Sequence, residues 1–376
     1  MQPPLFSKIL KLDWLIILSV LFLNSLGLLS LYSQNQHGVG FSYFQKQLIF
    51  FGVGFFLMFL FSFFDWRVFK DNSYLVLFLY LGGIILLAGI FVFAPQIRGV
   101  KSWYKIGPLS FNPTEFTKLV LIILFAKYFS QRHIEMYKFH HIILSGIYLF
   151  IPAFLIYLQP DLGSVLVFLF IWFGILIVSG IKIKHFFILV LAGTIFCVFA
   201  WNFLLKEYHK ERIISFLFPE YEPLETGWSQ RQAKIALGSG GLFGKGFKKG
   251  PQTQYGFLPE SHTDFIFSSI GEEFGFLTLA FLLICYILLL WRILKISTIA
   301  NSNFARLFSL GVFVWLLSQI VINIGSNIGF LPVIGISLPF ISYGGSLLLS
   351  LYIAIGILQG IKLHSYFPKS NPALYV

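Results

Sequence analysis

Ten apolar runs of roughly twenty residues recur along the chain, near 14–33, 46–64, 73–94, 113–130, 140–158, 163–181, 185–205, 263–291, 304–329 and 341–363. Each is long enough to cross a hydrocarbon core of ~30 Å as a helix. The sequence therefore predicts an all-α polytopic membrane protein, folded as a single transmembrane domain over residues 1–376. Composition agrees, with 57% hydrophobic and 11% charged residues, against about 25% charged in a soluble domain. Lys8 and Lys11 precede the first run and no small-residue cleavage pattern follows, so that run reads as a spanning helix, not a signal peptide. Cys197 and Cys285 lie in apolar runs and suggest neither a disulfide framework nor a metal site.

A net charge of +12 is compatible with nucleic-acid binding, but its distribution argues otherwise. With the N-terminus inside, fourteen Lys and Arg fall in the tails and loops of the cytoplasmic side, among them Arg67, Lys70, Arg132, Arg292 and Lys362. The short outer loops hold four, Lys46, Arg98, Lys101 and Lys105. Such a bias is the positive-inside signature. Both termini are expected in the cytoplasm, membrane lipid is the surrounding partner, and no nucleic acid is expected.

One connection is too long for a turn. Residues 206–262 form a large loop expected outside the membrane. It opens with KEYHKERIISFLFPE, which suits either an interfacial amphipathic helix or an ordinary loop. It continues into GSGGLFGKGFKKG. A phosphate-binding P-loop needs Ser or Thr after its Lys and a strand before it; here Gly246 follows Lys245 and no strand precedes, so nucleotide binding is rejected. The glycines can make a flexible loop, or let backbone approach a lipid-linked diphosphate.

Charged groups inside a bilayer are costly and are usually paired or functional. Glu115 in FNPTEFTKL, Asp161 in QPDLG and Asp264 in ESHTDF open the fourth, sixth and eighth runs. All three runs go from outside to inside, so the three carboxylates share the outer face. Each also suits a helix start: Asn112-x-x-Glu115 with Pro113 fits a capping box, Asp161 an N-cap, and Ser261-x-x-Asp264 the same pattern. Glu115 and Lys118, three residues apart, can form an ion pair. Glu260, His262 and the lysine-bearing loop favour a functional reading of Asp264. Glu272 and Glu273 lie about 12 Å deeper at ~1.5 Å per residue, with Gln319, Asn323 and Asn327 as candidate partners. Arg98 and Lys101, before Trp103, can bind an anionic head group or serve as interfacial anchors. FLPVIGISLPFISYGGS, residues 330–346, breaks helical pattern between the last two runs. Irregular backbone at membrane depth requires shielding by protein or a wet cavity, so this stretch either lines a site or is a plain outer turn.

These motifs, in this order, resemble the SEDS family (shape, elongation, division and sporulation). The resemblance runs from Gly99 and Trp103 through PTEFTKL, QPDLG, QAKIALGSGGLFGKG, TQYGFLPESHTDFIF, GEEFG and PFISYGGS, nearly the whole chain. KGPQTQYGFLPE and the short N-terminal tail favour the family's rod-shape branch over its division branch. The resemblance implies a ten-helix peptidoglycan glycosyltransferase, an inverting hexosyltransferase that polymerises lipid II at the outer face of the bacterial cytoplasmic membrane. It implies partnership with a class B penicillin-binding protein and other membrane proteins of the elongation complex. It places the family's essential aspartate on Asp264, its glutamate and lysine on Glu115 and Lys118, and a further aspartate on Asp161. The substrate-binding set expected here is Asp161, Arg98, Lys101, Trp103, Lys245, His262, Ser342 and Tyr343. The chain departs from the family pattern at Asn112, Thr114, Trp228-Ser229, Ile334, Ser337 and Leu347.

The chemistry gives the acids a purpose. Joining sugars removes a proton from an acceptor hydroxyl while a lipid diphosphate leaves the donor carbon. A carboxylate at a half-buried helix start can have a raised pKa, which suits a general base. Outward-facing helix starts bring partial positive charge to the same face. Lys245, Lys248 and Lys249, or a divalent cation such as Mg²⁺ or Mn²⁺, could offset the leaving group's charge. A lipid II flippase and a non-catalytic scaffold are the rival classes.

Overall fold

The computed structural model describes residues 9–34, 43–95, 101–107, 109–132, 139–218 and 226–366. Among the described residues, eight helices are long and apolar enough to cross a membrane: α1 (Trp14–Ser33), α2 (Tyr43–Phe63), α4 (Ser73–Phe93), α6 (Phe139–Leu158), α8 (Ile183–Phe203), α12 (Ile266–Ile299), α13 (Asn303–Ile328) and α14 (Gly345–Tyr366). Two more complete the ten expected: α5 (Pro113–Gln131), which carries Glu115, Lys118 and Lys127, and the shorter apolar α7 (Leu162–Val178). α3 (Arg67–Asp71) links α2 to α4. The long loop contains three helices, α9 (Glu207–Leu217), α10 (Thr226–Gly240) and α11 (Pro251–Gln254). One small departure from all-α is a hairpin of β1 (Tyr104–Ile106) and β2 (Leu109–Phe111), antiparallel with Tyr104 opposite Phe111. Gly107, at φ 61°, makes its turn.

The bundle core runs along α12, α13 and α14, where Tyr286, Trp315 and Tyr352 are fully buried. α2 packs along α14, α1 against α12, and α5 and α7 against α13. By contrast, α8 has no buried residue. At the end of α1 that the charge bias assigns to the cytoplasm, Asp13, 2% exposed, accepts from the Arg292 guanidinium at 2.5 Å and pairs with Lys362 at 3.1 Å. Gln359 holds the same residue by its backbone, donating to the Asp13 carbonyl and accepting from its N–H.

α12 is not one straight span. Gly275 breaks it with φ 78° and ψ 179°, seven residues further along than Ser268 in the first turn. A break at this depth exposes backbone groups that need partners. The glycine-rich loop supplies them. Lys245 and Gly246 N–H donate to the Glu272 and Glu273 carbonyls at 2.9 and 3.0 Å, and Phe276 and Leu277 N–H donate to the Gly241 and Leu242 carbonyls at 2.9 and 3.1 Å. A Cβ on Gly240, Gly244 or Gly275 would run into facing backbone, which accounts for the glycines. The loop is a fixed patch on a broken helix, not a flexible linker, and these amides are not available to a diphosphate.

The 330–346 stretch is not a plain outer turn: Phe330 is 77% exposed, but from Ile336 onward the segment is largely buried. Leu338, Phe340 and Ile341 are at most 1% exposed, and the Tyr286 hydroxyl donates to the Pro339 carbonyl at 2.5 Å. Gly27 of α1 lies against the Ile341 backbone, where a side chain would not fit.

Candidate active site

The buried stretch is the hub on which the acid-bearing helix starts meet. Asn112, just ahead of α5, donates its N–H to Ser346 Oγ at 2.7 Å. Gly163, in the first turn of α7, packs on Ile334 and Ile336 with no room for a Cβ. Ser342 Oγ donates to the Thr263 carbonyl at 2.6 Å, and Tyr343 N–H to the His262 carbonyl at 2.9 Å. Gln47 of α2 locks the far side, donating to the Ser342 carbonyl and accepting from Gly344 N–H, each at 3.2 Å.

Two of the expected caps form. Asn112 accepts from Thr114 N–H and Asp161 from Ser164 N–H, both at 2.9 Å. The reciprocal half of the Asn112 capping box does not, because Glu115 turns instead to Lys118 at 2.7 Å. That pair is deeply placed, with Lys118 2% and Glu115 14% exposed. The capping alternative for Ser261 and Asp264 does not form. α12 begins at Ile266 with no side-chain cap from its own N-terminal flank. Asn327 of α13 does that work, its Oδ1 accepting from Ser268 N–H at 3.1 Å and Ser268 Oγ at 2.6 Å. Ser261 donates to Gln34. Asn323 and Asn327 hold Asp264 only by its carbonyl, at 2.9 and 2.8 Å. Its carboxylate is therefore not committed to capping.

That carboxylate lies partly buried, with the Cα side of Gly335 against its Oδ2. Burial is the main reason its pKa rises to about 6; nearby Glu260 and Asp161 push the same way, and Arg212 pushes back. Asp161, Asp264, Glu260 and Arg212 therefore share one electrostatic neighbourhood.

The remaining expected residues divide. His262 stacks on Tyr43 at 4.3 Å between centroids and sits 3.7 Å from Glu260, while Tyr343 meets Tyr43 at 4.8 Å. Lys245 faces buried Glu272 at 3.8 Å. Lys101 donates to the Phe91 carbonyl at 3.1 Å, the anchor reading, and Trp103 is 37% exposed. Arg98 lies outside the described residues. Glu272 and Glu273 do not find Gln319, Asn323 or Asn327. Glu272 accepts from Gln252 and Thr253 N–H at 2.9 and 3.0 Å, and Glu273 from Ser33 Oγ at 2.5 Å and Gln254 at 2.6 Å. They tie α11 and α1 to the broken helix. Sequence reasoning missed Arg212 and Tyr43. The amphipathic pattern around Arg212 was the available signal; Tyr43 offers none locally. Among the described residues no three His, Cys, Asp or Glu come together as metal ligands, so the divalent cation has no residue set here and no step is routed through one.

Together these features define a multi-pass helical membrane protein with a partly buried acidic site where three acid-bearing helix starts converge. A family profile described as "Cell cycle protein", named for FtsW, RodA and SpoVE, matches residues 7–366. The chain belongs to this family, the SEDS proteins. It is 36% identical over 287 residues to the peptidoglycan glycosyltransferase MrdB of Escherichia coli K12, covering 76% of this chain and 77% of that one. Its fold is similar to a chain of a peptidoglycan synthase complex described for coordinated polymerization and crosslinking, with TM-score 0.80, 30% identity, and 95% and 99% of the two chains covered. It is also similar to the rod shape determining protein RodA of Thermus thermophilus, with TM-score 0.68, 30% identity, and 94% and 98% covered.

Proposed function

We propose that this chain is a peptidoglycan glycosyltransferase that polymerises lipid II at the outer face of the bacterial cytoplasmic membrane. It works with a class B penicillin-binding protein during cell elongation. The observation that carries this is Asp264: a carboxylate among other acids, released from capping by Asn327, with a pKa near 6. Such a group is poised to accept a proton near neutral pH, where an ordinary carboxylate is too weak a base.

In the reaction, the acceptor-sugar hydroxyl oxygen bonds to the anomeric carbon of the donor as its proton passes to Asp264. The anomeric C–O bond breaks and its electron pair leaves on the lipid diphosphate. Glu115 and Lys118 stand at the start of α5, bound to the same hub through Asn112 and Ser346. Asp161 raises the basicity of Asp264 and caps α7.

The test is reconstitution of the full chain with its penicillin-binding partner and lipid II. Glycan polymer is expected from wild type. Asp264→Asn should insert, fold and bind its partner, yet polymerise at least about a hundredfold more slowly, the usual range for loss of a general base being ~10²–10⁴. Asp161→Asn should retain far more activity, since Asn caps as well as Asp. Lipid II movement across vesicles without polymer would favour the flippase instead.

A further inference from the structure

A departing lipid diphosphate brings several negative charges that a cation must receive. Two of the three lysines that the sequence offered are engaged elsewhere: Lys245 faces Glu272 at 3.8 Å, and the Lys248 ammonium lies 4.6 Å over the Tyr32 ring, while Lys249 is exposed on the same loop. Arg212 is placed differently. It projects from α9 and is exposed, with Nη1 donating to the Val333 carbonyl at 3.4 Å. Val333 leads directly into the hub segment that touches both acids: Ile334 packs on Gly163, two residues from the Asp161 cap, and Gly335 lies against the Asp264 carboxylate. One long bond to a carbonyl engages one of five guanidinium N–H groups. The others remain for a ligand, and their planar fork matches paired phosphate oxygens as an ammonium does not.

The neighbours on α9 leave this role to Arg212. Lys210 pairs with Glu207 at 3.1 Å. His209 is held neutral at physiological pH, its pKa lowered to about 4 by burial first and then by Arg212 and Lys206. We infer that Arg212 binds the diphosphate of the lipid-linked donor, holding its phosphate oxygens beside the Asp264 carboxylate as the anomeric C–O bond breaks. This rests on the glycosyltransferase reading. The same placement explains why α9 lies beside the site: its apolar residues Ile213, Ile214 and Phe216 are partly buried while Arg212 stays at the surface.

The experiment compares wild type, Arg212→Gln, Arg212→Lys and Asp264→Asn as full chains in nanodiscs. Each is measured for binding of polyprenyl diphosphate and polyprenyl alcohol, and, with the partner, for the KM and kcat of lipid II polymerisation. Arg212→Gln should weaken diphosphate binding and raise KM by roughly ten- to hundredfold, the effect of losing charge-assisted hydrogen bonds. Arg212→Lys should recover part of that loss, and alcohol binding should not change. Asp264→Asn should lose kcat while binding the diphosphate as tightly as wild type. Arg212→Gln with wild-type diphosphate affinity would overturn the inference, including the case where kcat alone falls and Arg212 merely tunes Asp264. Wild type that polymerises lipid II but binds both lipids alike would overturn it too. Wild type that neither polymerises nor prefers the diphosphate would overturn the glycosyltransferase reading with it.

Discussion

Asp264 carries the sharpest consequence of its surroundings in its titration. A general base works as the carboxylate, so activity is present above its pKa and is lost as pH falls through it. With that pKa at about 6, the polymerisation rate should rise through pH 6 and level off above. An ordinary aspartate would place the limb near ~3.9. Glu260→Gln removes a charge that raises the value, so its limb should move to lower pH. A wild-type limb at pH 4 would refute the role of burial. The Glu115–Lys118 pair gives a second residue-scale prediction. Glu115→Gln strands a buried ammonium and should destabilise the fold by ~3–5 kcal/mol, whereas Glu115→Gln with Lys118→Met should restore much of it. Thermal unfolding in detergent reads the difference; a single variant as stable as wild type would show the pair to be dispensable. Both this pair and the Asp161 cap were legible in the sequence, because their partners lie within three residues. The cap of α12 was not, since Asn327 reaches it from 59 residues away on another helix.

Elements fail to announce themselves when their cause is another element. GEEFG sits within a run that reads as continuous helix, and nothing local marks Gly275 as a break. The glycines of GSGGLFGKG were visible, but a flexible loop, a ligand cradle and a backbone patch share the same composition. Contact decides among them. Gly244, at φ 80°, would put a Cβ 2.5 Å from the Glu273 carbonyl carbon and 2.7 Å from Gly275 N. Gly244→Ala should therefore destabilise the chain by at least ~1–3 kcal/mol through overpacking, with extra backbone strain. Gly238, in the same stretch, faces nothing within 4 Å, and Gly238→Ala should be tolerated. Equal melting temperatures for the two variants would show that the loop is not seated on the broken helix.

At the scale of the whole molecule, hydropathy found the spans but not the reason two of them must cross. α5 carries three charged side chains and α7 is short, so among the described residues eight helices qualify by length and apolarity alone. If α5 and α7 stayed on one side, Asn112 and Asp161 would fall on opposite faces. The hub forbids this: Asn112 bonds to Ser346 and Gly163 packs on Ile334, so both helix starts share a face with Asp264. On the other face Asp13, Arg292 and Lys362 bind three spans at their inner ends. Ten crossings are the arrangement that satisfies both sets of contacts. The two alternatives place Gln131, exposed at the end of α5, on opposite sides of the membrane. After Cys197 and Cys285 are replaced by Ala, single cysteines at Gln131, Tyr255 and Asn301 can be tested with an impermeant thiol reagent on intact cells. Tyr255→Cys should react at once, while Gln131→Cys and Asn301→Cys should react only after the membrane is opened. Immediate reaction of Gln131→Cys would mean that α5 does not cross, and Glu115, Asp161 and Asp264 would no longer share the face on which the proposed chemistry depends.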